Sequence, residues 1–295
     1  MADQLEIPFY TLNFEEPFAR IVDYFVAEYD RGATPNPCIV CNRDLKFGKL
    51  FEFADAVGAD AVATGHYARV EERGGRWALL RGADSRKDQS YVLFPLGQRE
   101  LARTLFPVGG HEKTAIRELA REAGLRVAEK PESMEICFVP DDDHRRLLRE
   151  RLGDRLQPGD FVDLEGRVLG RHDGYQLFTL GQRRGLGQSF GQPMYVVGID
   201  PSKNAVVLSP EDGRDRAFTA REVNWVSSTP RRARVTIKIR SQHAGAEGEI
   251  EPQEGGRARI VFDDPQRAVT PGQAAVCYEG DAVLAGGWIE RLPGI

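Results

Sequence analysis

Cysteine is scarce in this chain, and that scarcity argues against a disulfide-stapled secreted fold. Four cysteines in 295 residues, Cys38, Cys41, Cys137 and Cys277, are too few for a framework of bridges at this size. Any disulfide is expected to be transient and chemical, in a compartment that keeps thiols reduced. Long apolar runs are missing too: the longest stretches, such as Tyr91 to Leu96, are far too short to span a bilayer. The opening Met1-Ala-Asp-Gln-Leu-Glu has neither a basic n-region nor an apolar h-region. The expected location is therefore the cytoplasm, with no membrane partner. Positive charge is not in excess either, with 40 Lys and Arg against 45 Asp and Glu, a net −5. An RNA partner would need a local basic surface, because phosphate recognition usually leaves a basic footprint. What is present, 41% hydrophobic and 29% charged residues, suffices for two or three globular domains.

The first 140 residues alternate short apolar runs with helical patterns, which is how an α/β layered domain with a mainly parallel sheet reads. Ile7-Pro-Phe-Tyr-Thr-Leu reads as a strand. Glu16 to Tyr29 reads as a helix, with Phe18, Ile21, Val22, Phe25 and Val26 at helical spacing. Arg31-Gly-Ala-Thr-Pro-Asn-Pro breaks it. A second helix carries Phe47, Leu50, Phe51 and Ala54 at i, i+3, i+4 and i+7 and ends near Gly58. Ala61-Val-Ala-Thr-Gly-His-Tyr reads as a strand running into a turn, where parallel sheets place ligands. Gly74-Gly75 marks a hairpin, Lys113 to Leu125 an amphipathic helix, and Asp141-Asp-Asp the cap of the next helix. From about Pro158 the texture becomes short β-like runs between Gly, Asp and Asn. The expected domains are 1–140, α/β; 141–211, small, central and mainly β; and 212–295, a small barrel or sandwich.

Cys38-Ile-Val-Cys41 is the sharpest local feature. It follows Pro35-Asn-Pro37 at a helix start, where the dipole and unpaired N–H groups favour a thiolate and lower a thiol pKa. The same spacing fits half of a zinc site, a thioredoxin-like redox pair or an inert buried pair, and the residues alone leave these open. Cys137, in the strand-like run Ser133-Met-Glu-Ile-Cys-Phe, taken alone reads as a buried small hydrophobe, as does Cys277. In Arg234-Val-Thr-Ile-Lys-Ile-Arg240, alternation puts Arg234, Thr236, Lys238 and Arg240 on one face, a basic stripe that is either solvated or suited to a phosphate backbone. The Gly181-Gln-Arg-Arg-Gly-Leu-Gly loop is either a plain turn or an approach to phosphates.

Taken together, several segments resemble the bacterial tRNA-specific 2-thiouridylases: Thr34-Pro-Asn-Pro-Cys-Ile-Val-Cys-Asn42, Ala63-Thr-Gly-His-Tyr67, Lys87-Asp-Gln-Ser-Tyr91, Ile136-Cys-Phe138, Thr179-Leu-Gly-Gln-Arg183 with Gly185-Leu-Gly, and Pro271-Gly-Gln273. Their order and spacing run from residue 5 to the end. The resemblance implies an adenine nucleotide alpha hydrolase-like first domain and resolves the last domain, 212–295, to a β-barrel. It also implies transfer of sulfur to C2 of the wobble uridine of tRNA, after adenylation by ATP with Mg2+, from a persulfide supplied by a sulfur-relay donor protein. It implies Cys137 as persulfide carrier and Cys41 as nucleophile, with Cys38 a second choice, and the two must then approach to within roughly 7 Å between Cα atoms to form a disulfide. Gly65 would lie at the nucleotide. Asn36, Pro37 and Cys38 would surround the target base, and His66, Lys87, Asp88, Gln89, Arg240, Ser241 and Gln273 would meet tRNA. No metal site is implied.

One departure stands out. The family's Ser-Gly-Gly-x-Asp-Ser phosphate loop should precede residue 1, so the first domain is expected to be truncated at its start and to bind ATP poorly. A truncated start, one half of a split enzyme and a non-catalytic tRNA-binding protein are the readings left open.

Overall fold

The computed structural model describes residues 2–129, 136–141 and 143–290, with Arg126 described by its backbone alone. Residues 7–12, expected as a strand, run irregularly with Ile7, Phe9 and Tyr10 at 55, 76 and 62% exposure. No described strand pairs with them, and an extended segment without a ladder partner gains nothing from strand geometry. Helix α1 (Glu15–Asp30) follows, with Glu15 and Glu16 in its first turn, where carboxylates suit the dipole. It buries Ile21, Val22, Phe25, Val26 and Tyr29. Helix α2 (Pro37–Val40) continues as a π-helical segment (Cys41–Lys49) and then as α3 (Leu50–Val57), closed by Gly58 in the left-handed region at φ 72°. The expected second helix is therefore present, but its middle is wound wider than an α-helix.

Strand β1 (Val62–Ala63) leads to a hairpin, β2 (Ala68–Arg73) and β3 (Arg76–Arg81), turned by Gly74 and Gly75, both at positive φ. Helix α4 (Gln98–Leu101), strand β4 (Thr104–Leu105) and helix α5 (Lys113–Glu122) complete this unit. Among the described residues its parallel sheet has two strands, β1 and β4, paired through Val62 with Thr104 and Ala63 with Leu105. Helix α6 (His144–Leu152) is capped as expected within the acidic triplet: Asp143 accepts the Arg146 N–H at 3.2 Å. Asp142 lies outside the described residues.

The central unit is a four-stranded sheet of β5 (Gly159–Val162), β6 (Val168–His172), β7 (Tyr195–Asp200) and β8 (Ala205–Ser209), ordered β6-β5-β8-β7. The last unit holds β9 (Arg214–Trp225), β10 (Ala233–Lys238), β11 (Ala246–Gln253), β12 (Arg257–Arg267), β13 (Ala274–Glu279) and β14 (Ala282–Ile289). They run β13-β10-β11-β12-β9-β14, and pairing of β13 with β14 closes a six-stranded barrel. Phe218, Ile237, Ile260, Phe262, Cys277 and Leu284 fill it. The β2–β3 hairpin joins the barrel's sheet through Leu80 opposite Ala282. Helix α1 ties the units together. Its Ile21 lies in one core with Ile39, Phe47, Val276 and Trp288, and its Phe25, Val26 and Tyr29 lie in another with Phe161, Val196 and Leu208.

Candidate active site

Helix α2 begins at Pro37 because Asn36 caps it. The Asn36 side-chain oxygen accepts the Ile39 N–H at 3.4 Å, and proline at the first helical position has no N–H to satisfy. Ile39 and Val40 are buried in the core, which leaves Cys38 exposed and Cys41 half-buried at the junction with the π-helical segment. Cys137 is exposed in a turn closed by Val139 N–H to Ile136 O at 2.8 Å. Phe138 anchors that turn edge-on against Phe18 and Phe25 of α1, with ring centroids 5.9 and 5.3 Å away. The turn brings Cys137 close enough for its charge to act on both Cys38 and Cys41. All four cysteines are free thiols.

Two expectations are corrected here. Cys137 is not core, because Phe138 supplies the packing and the turn leaves the thiol outside; the rest of the expected strand, up to Glu135, lies outside the described residues. Nor does the helix start lower the α2 thiols. Burial pushes Cys38 up, with Cys137 and Cys41 adding and Lys46 opposing. Burial also raises Cys41, against Lys46, with Cys137 and Asp44 adding. Cys41 stands at the carboxyl end of the four-residue α2, away from the unpaired N–H groups that would have helped it. Cys277 is fully buried in the barrel, its thiol pushed up to about 12, as a packing role requires.

The Thr34–Pro37 loop is held from the barrel. Thr34 N–H donates to Pro271 O at 2.8 Å, and Gln273 Nε2 donates to Thr34 O at 3.2 Å and Pro35 O at 2.9 Å. Gly272, at φ 86°, lies so close that an added Cβ would stand 2.8 Å from Thr34 O. Gln273 thus uses its amide nitrogen to clasp the loop that positions Asn36, Pro37 and Cys38.

His66 is 6% exposed, stacked on Phe47 at 5.8 Å. Asn42 Nδ2 donates to Val92 O at 3.3 Å, which turns Asn42 Oδ1 toward His66 Nε2 at 3.2 Å. Nε2 therefore carries the proton, and Nδ1 accepts from Thr64 Oγ1 at 2.7 Å. Burial, helped by Lys46, holds the imidazole down at about 4. Both ring nitrogens are engaged within the protein, so the neutral imidazole braces the end of β1 against the cysteine helix.

Asp88 likewise works inward: its carboxylate accepts the Gly82 and Ser90 N–H groups at 3.1 and 3.0 Å and Ser90 Oγ at 3.0 Å. The hydroxyl of Tyr278 in β13 reaches Ser90 Oγ at 3.1 Å. Gln89, exposed as a residue, holds Tyr67 with its own N–H to Tyr67 O and with Oε1 from Tyr67 N–H, each at 2.9 Å. Lys87 is half-buried on the same loop.

Of the two readings of the β10 stripe, the structure favours the solvated face. Arg234 is paired bidentately with Asp263 at 2.8 and 2.7 Å, Thr236 bonds Glu247 at 2.8 Å, and Lys238 is 9% exposed. The acids come from the neighbouring strands β11 and β12, which cancel the face locally. Positive charge instead gathers beyond the strand's end. A cleft of about 670 Å³ opens where the units meet, lined by Thr34, Arg214, Arg240, Arg267 and Gln273, with Asp212 and Asp215 among the remaining residues. Arg240 Nη1 is buried there with no hydrogen-bond partner among the described residues, and Arg267 adds like charge near it. Ser241 is exposed in the following turn.

Comparison with known proteins decides the family. The chain matches the tRNA methyl transferase HUP domain over residues 1–141, the tRNA methyl transferase PRC-barrel domain over 145–210 and the aminomethyltransferase beta-barrel domain over 215–289. It is 48% identical over 298 residues to the tRNA-specific 2-thiouridylase MnmA of Moorella thermoacetica, covering 99% of this chain and 84% of that protein. It is 50% identical over 295 residues to the protein of that name from Geotalea uraniireducens, covering 99% and 79%. The protein of the same name from Heliobacterium modesticaldum is 50% identical over 299 residues, covering 99% and 78%. The chain belongs to the tRNA-specific 2-thiouridylase family.

The 2-thiouridylase residues carried over by resemblance fall into groups in space. Asn36, Pro37, Cys38, Cys41 and Cys137 gather at the α2 end, with Gln273 bonded to their loop. Arg240 shares the cleft with Gln273 and Thr34. Lys87, Asp88 and Gln89 form a loop tied to Tyr67 and the barrel, next to the Gly65–His66 turn. Gly65 is exposed with open space above it, which fits the approach of an adenine nucleotide at the end of β1. Sequence reasoning missed Asn42, Lys46 and Arg267. Lys46 directly precedes Phe47 of the apolar face that defined the helix, and no pattern in the sequence marks the wider winding that brings it to the thiols.

Proposed function

We propose that this chain is a tRNA-uridine 2-sulfurtransferase that replaces the C2 oxygen of the wobble uridine with sulfur carried as a persulfide on Cys137. The observation that carries the reading is the meeting of exposed Cys137 with Cys38 and Cys41 at the end of the clasped Asn36–Pro37 loop. An inert buried pair has no use for a third thiol delivered on a separate turn, and a structural zinc site, which would use one, is not favoured because no three His, Cys, Asp or Glu side chains among the described residues are grouped to hold a metal. The half-exposed position of Cys41 suits a nucleophile better than a core residue.

ATP with Mg2+, when bound, supplies activation of the uridine C2 oxygen as a leaving group, and Gly65 is the residue of this chain that would adjoin it. The chain's own residues do the rest. Asn36, Pro37 and Cys38 border the base. The terminal sulfur on Cys137 attacks C2, and the activated oxygen departs. The Cys41 thiolate then attacks Sγ of Cys137, breaking the S–S bond; the outer sulfur stays on the uridine and a Cys41–Cys137 disulfide remains, to be reduced by a dithiol. A persulfide-bearing relay protein reloads Cys137, whose exposure suits such an exchange. Arg240 and Arg267 at the cleft meet tRNA phosphates, which explains how a chain of net −5 holds RNA. Placement in the cytoplasm agrees with such a substrate, and no helix among the described residues is long and apolar enough to cross a membrane.

The test is 2-thiouridine formation in unmodified tRNA supplied with ATP, Mg2+ and a persulfide donor. In an enzyme complete in its phosphate loop, Cys41→Ser and Cys137→Ser abolish it while tRNA affinity changes less than about twofold, because each removes one atom's chemistry and little surface. Wild-type rates in either variant would sink the relay.

A further inference from the structure

We propose that Lys46 is the cation that stabilises the sulfur anion at Cys41, and that the π-helical winding of Cys41–Lys49 is what brings it there. At 3.6 residues per turn, residues five apart lie roughly 140° apart around a helix, so in an α-helix Lys46 would project away from Cys41. A π-helix hydrogen-bonds i to i+5, and its wider turn carries residue 46 round to the same side of the axis as residue 41. Such winding is rare and concentrates at functional sites, and here its first residue is the half-buried thiol.

The neighbourhood agrees. Lys46 is exposed, and no carboxylate among the described residues lies within ion-pair distance of its Nζ. Its charge acts on Cys41, on Cys38 and on buried His66, three groups that otherwise lie on different elements. The other charged or titratable groups acting on Cys41 are Cys137, from the facing turn, and Asp44, from its own helix. Asp44 is paired with Arg43 at 2.6 and 3.0 Å, so its negative charge is largely answered locally. Lys46 is thus the one cation among these groups left to oppose the burial that keeps Cys41 protonated. As a positioning residue it promotes loss of the thiol proton to solvent and involves no further reactant. The inference concerns thiol ionisation alone and stands apart from sulfur transfer to RNA.

The experiment is the pH profile of iodoacetamide alkylation at Cys41, read by peptide mass spectrometry in the full chain carrying Cys38→Ser, with buried Cys277 as an unreactive reference. Lys46→Gln should slow alkylation roughly three- to tenfold at neutral pH and move the profile to higher pH, because less thiolate is present. Lys46→Arg should restore it, and Asp44→Asn should move the profile the other way. A Lys46→Gln profile that overlays the parent overturns the proposal. So does a Lys46→Arg variant as slow as Lys46→Gln, since a loss that charge does not rescue would belong to packing. Because the readout is the resting thiol, a chain that failed to thiolate tRNA would leave this result unaffected.

Discussion

The buried imidazole of His66 makes the clearest residue-level prediction. In the unfolded chain its ordinary value is 6.5, and in the fold burial holds it at about 4. The folded value is depressed, so the unfolded state binds the extra proton first as pH falls. The contribution to stability is complete above pH 6.5 and is lost between there and about pH 4, on the order of 3 kcal/mol in all. His66→Gln should flatten the pH dependence of urea unfolding across this window relative to wild type. Parallel curves would mean that the imidazole is neither as buried nor as neutral as its bonds to Thr64 and Asn42 indicate. Cys137 shows the limit of reading single residues: Ile and Phe on either side suggest a core thiol, yet a turn lets Phe138 pack while the cysteine stays out. Nothing in three letters of sequence distinguishes the two outcomes. Only the resemblance pointed to chemistry there.

Elements were legible where their pattern is local. The periodicity of α1, the glycine stop at Gly58, the Gly74–Gly75 turn and the acidic cap before α6 are all carried by neighbours in sequence. The π-helical winding was not, because apolar positions such as Phe47, Leu50, Phe51 and Ala54 suit an α-helix equally well. The choice between a solvated and a phosphate-binding stripe on β10 was open for a related reason: Glu247 and Asp263, which neutralise it, are adjacent across the barrel and distant along the chain. At this scale the Gln273–Gly272 clasp is open to test. Gly272→Ala places a Cβ against Thr34 O at a positive φ, so it should cost roughly 1–3 kcal/mol in stability, visible as a lowered urea midpoint. Gln273→Ala, which keeps the backbone and frees the loop, should lower the thiolation rate more than it lowers stability. Equal stability and equal rate in both variants would remove the clasp from the account.

In the whole molecule, three units converge where α1, the Asn36 loop and the barrel meet; the order of an α/β unit and two mainly β units was readable from texture, while the choice of barrel over sandwich was not. That the β2–β3 hairpin belongs to the barrel's sheet was not readable, since alternation predicts a hairpin without saying which edge it joins. Charge behaves likewise: a net −5 conceals the cleft where Arg240 and Arg267 share a lining with Arg214, Asp212 and Asp215, Arg214 being paired with Asp212. Arg267→Glu should weaken tRNA binding several-fold and reduce the slope of log affinity against log salt by about one or more, whereas Arg234→Gln, already answered by Asp263, should change the slope little. The reverse ranking would move the RNA surface back to the strand. The account's central claim is that sulfur passes from Cys137 with Cys41 completing the release. Its most direct test is to react persulfide-loaded protein with tRNA, ATP and Mg2+ without reductant and to map the disulfides formed alongside 2-thiouridine. The account predicts one Cys41–Cys137 disulfide for each 2-thiouridine. A Cys38–Cys137 bridge, thiolation with Cys41 and Cys137 unlinked, or no thiolation at all would contradict it.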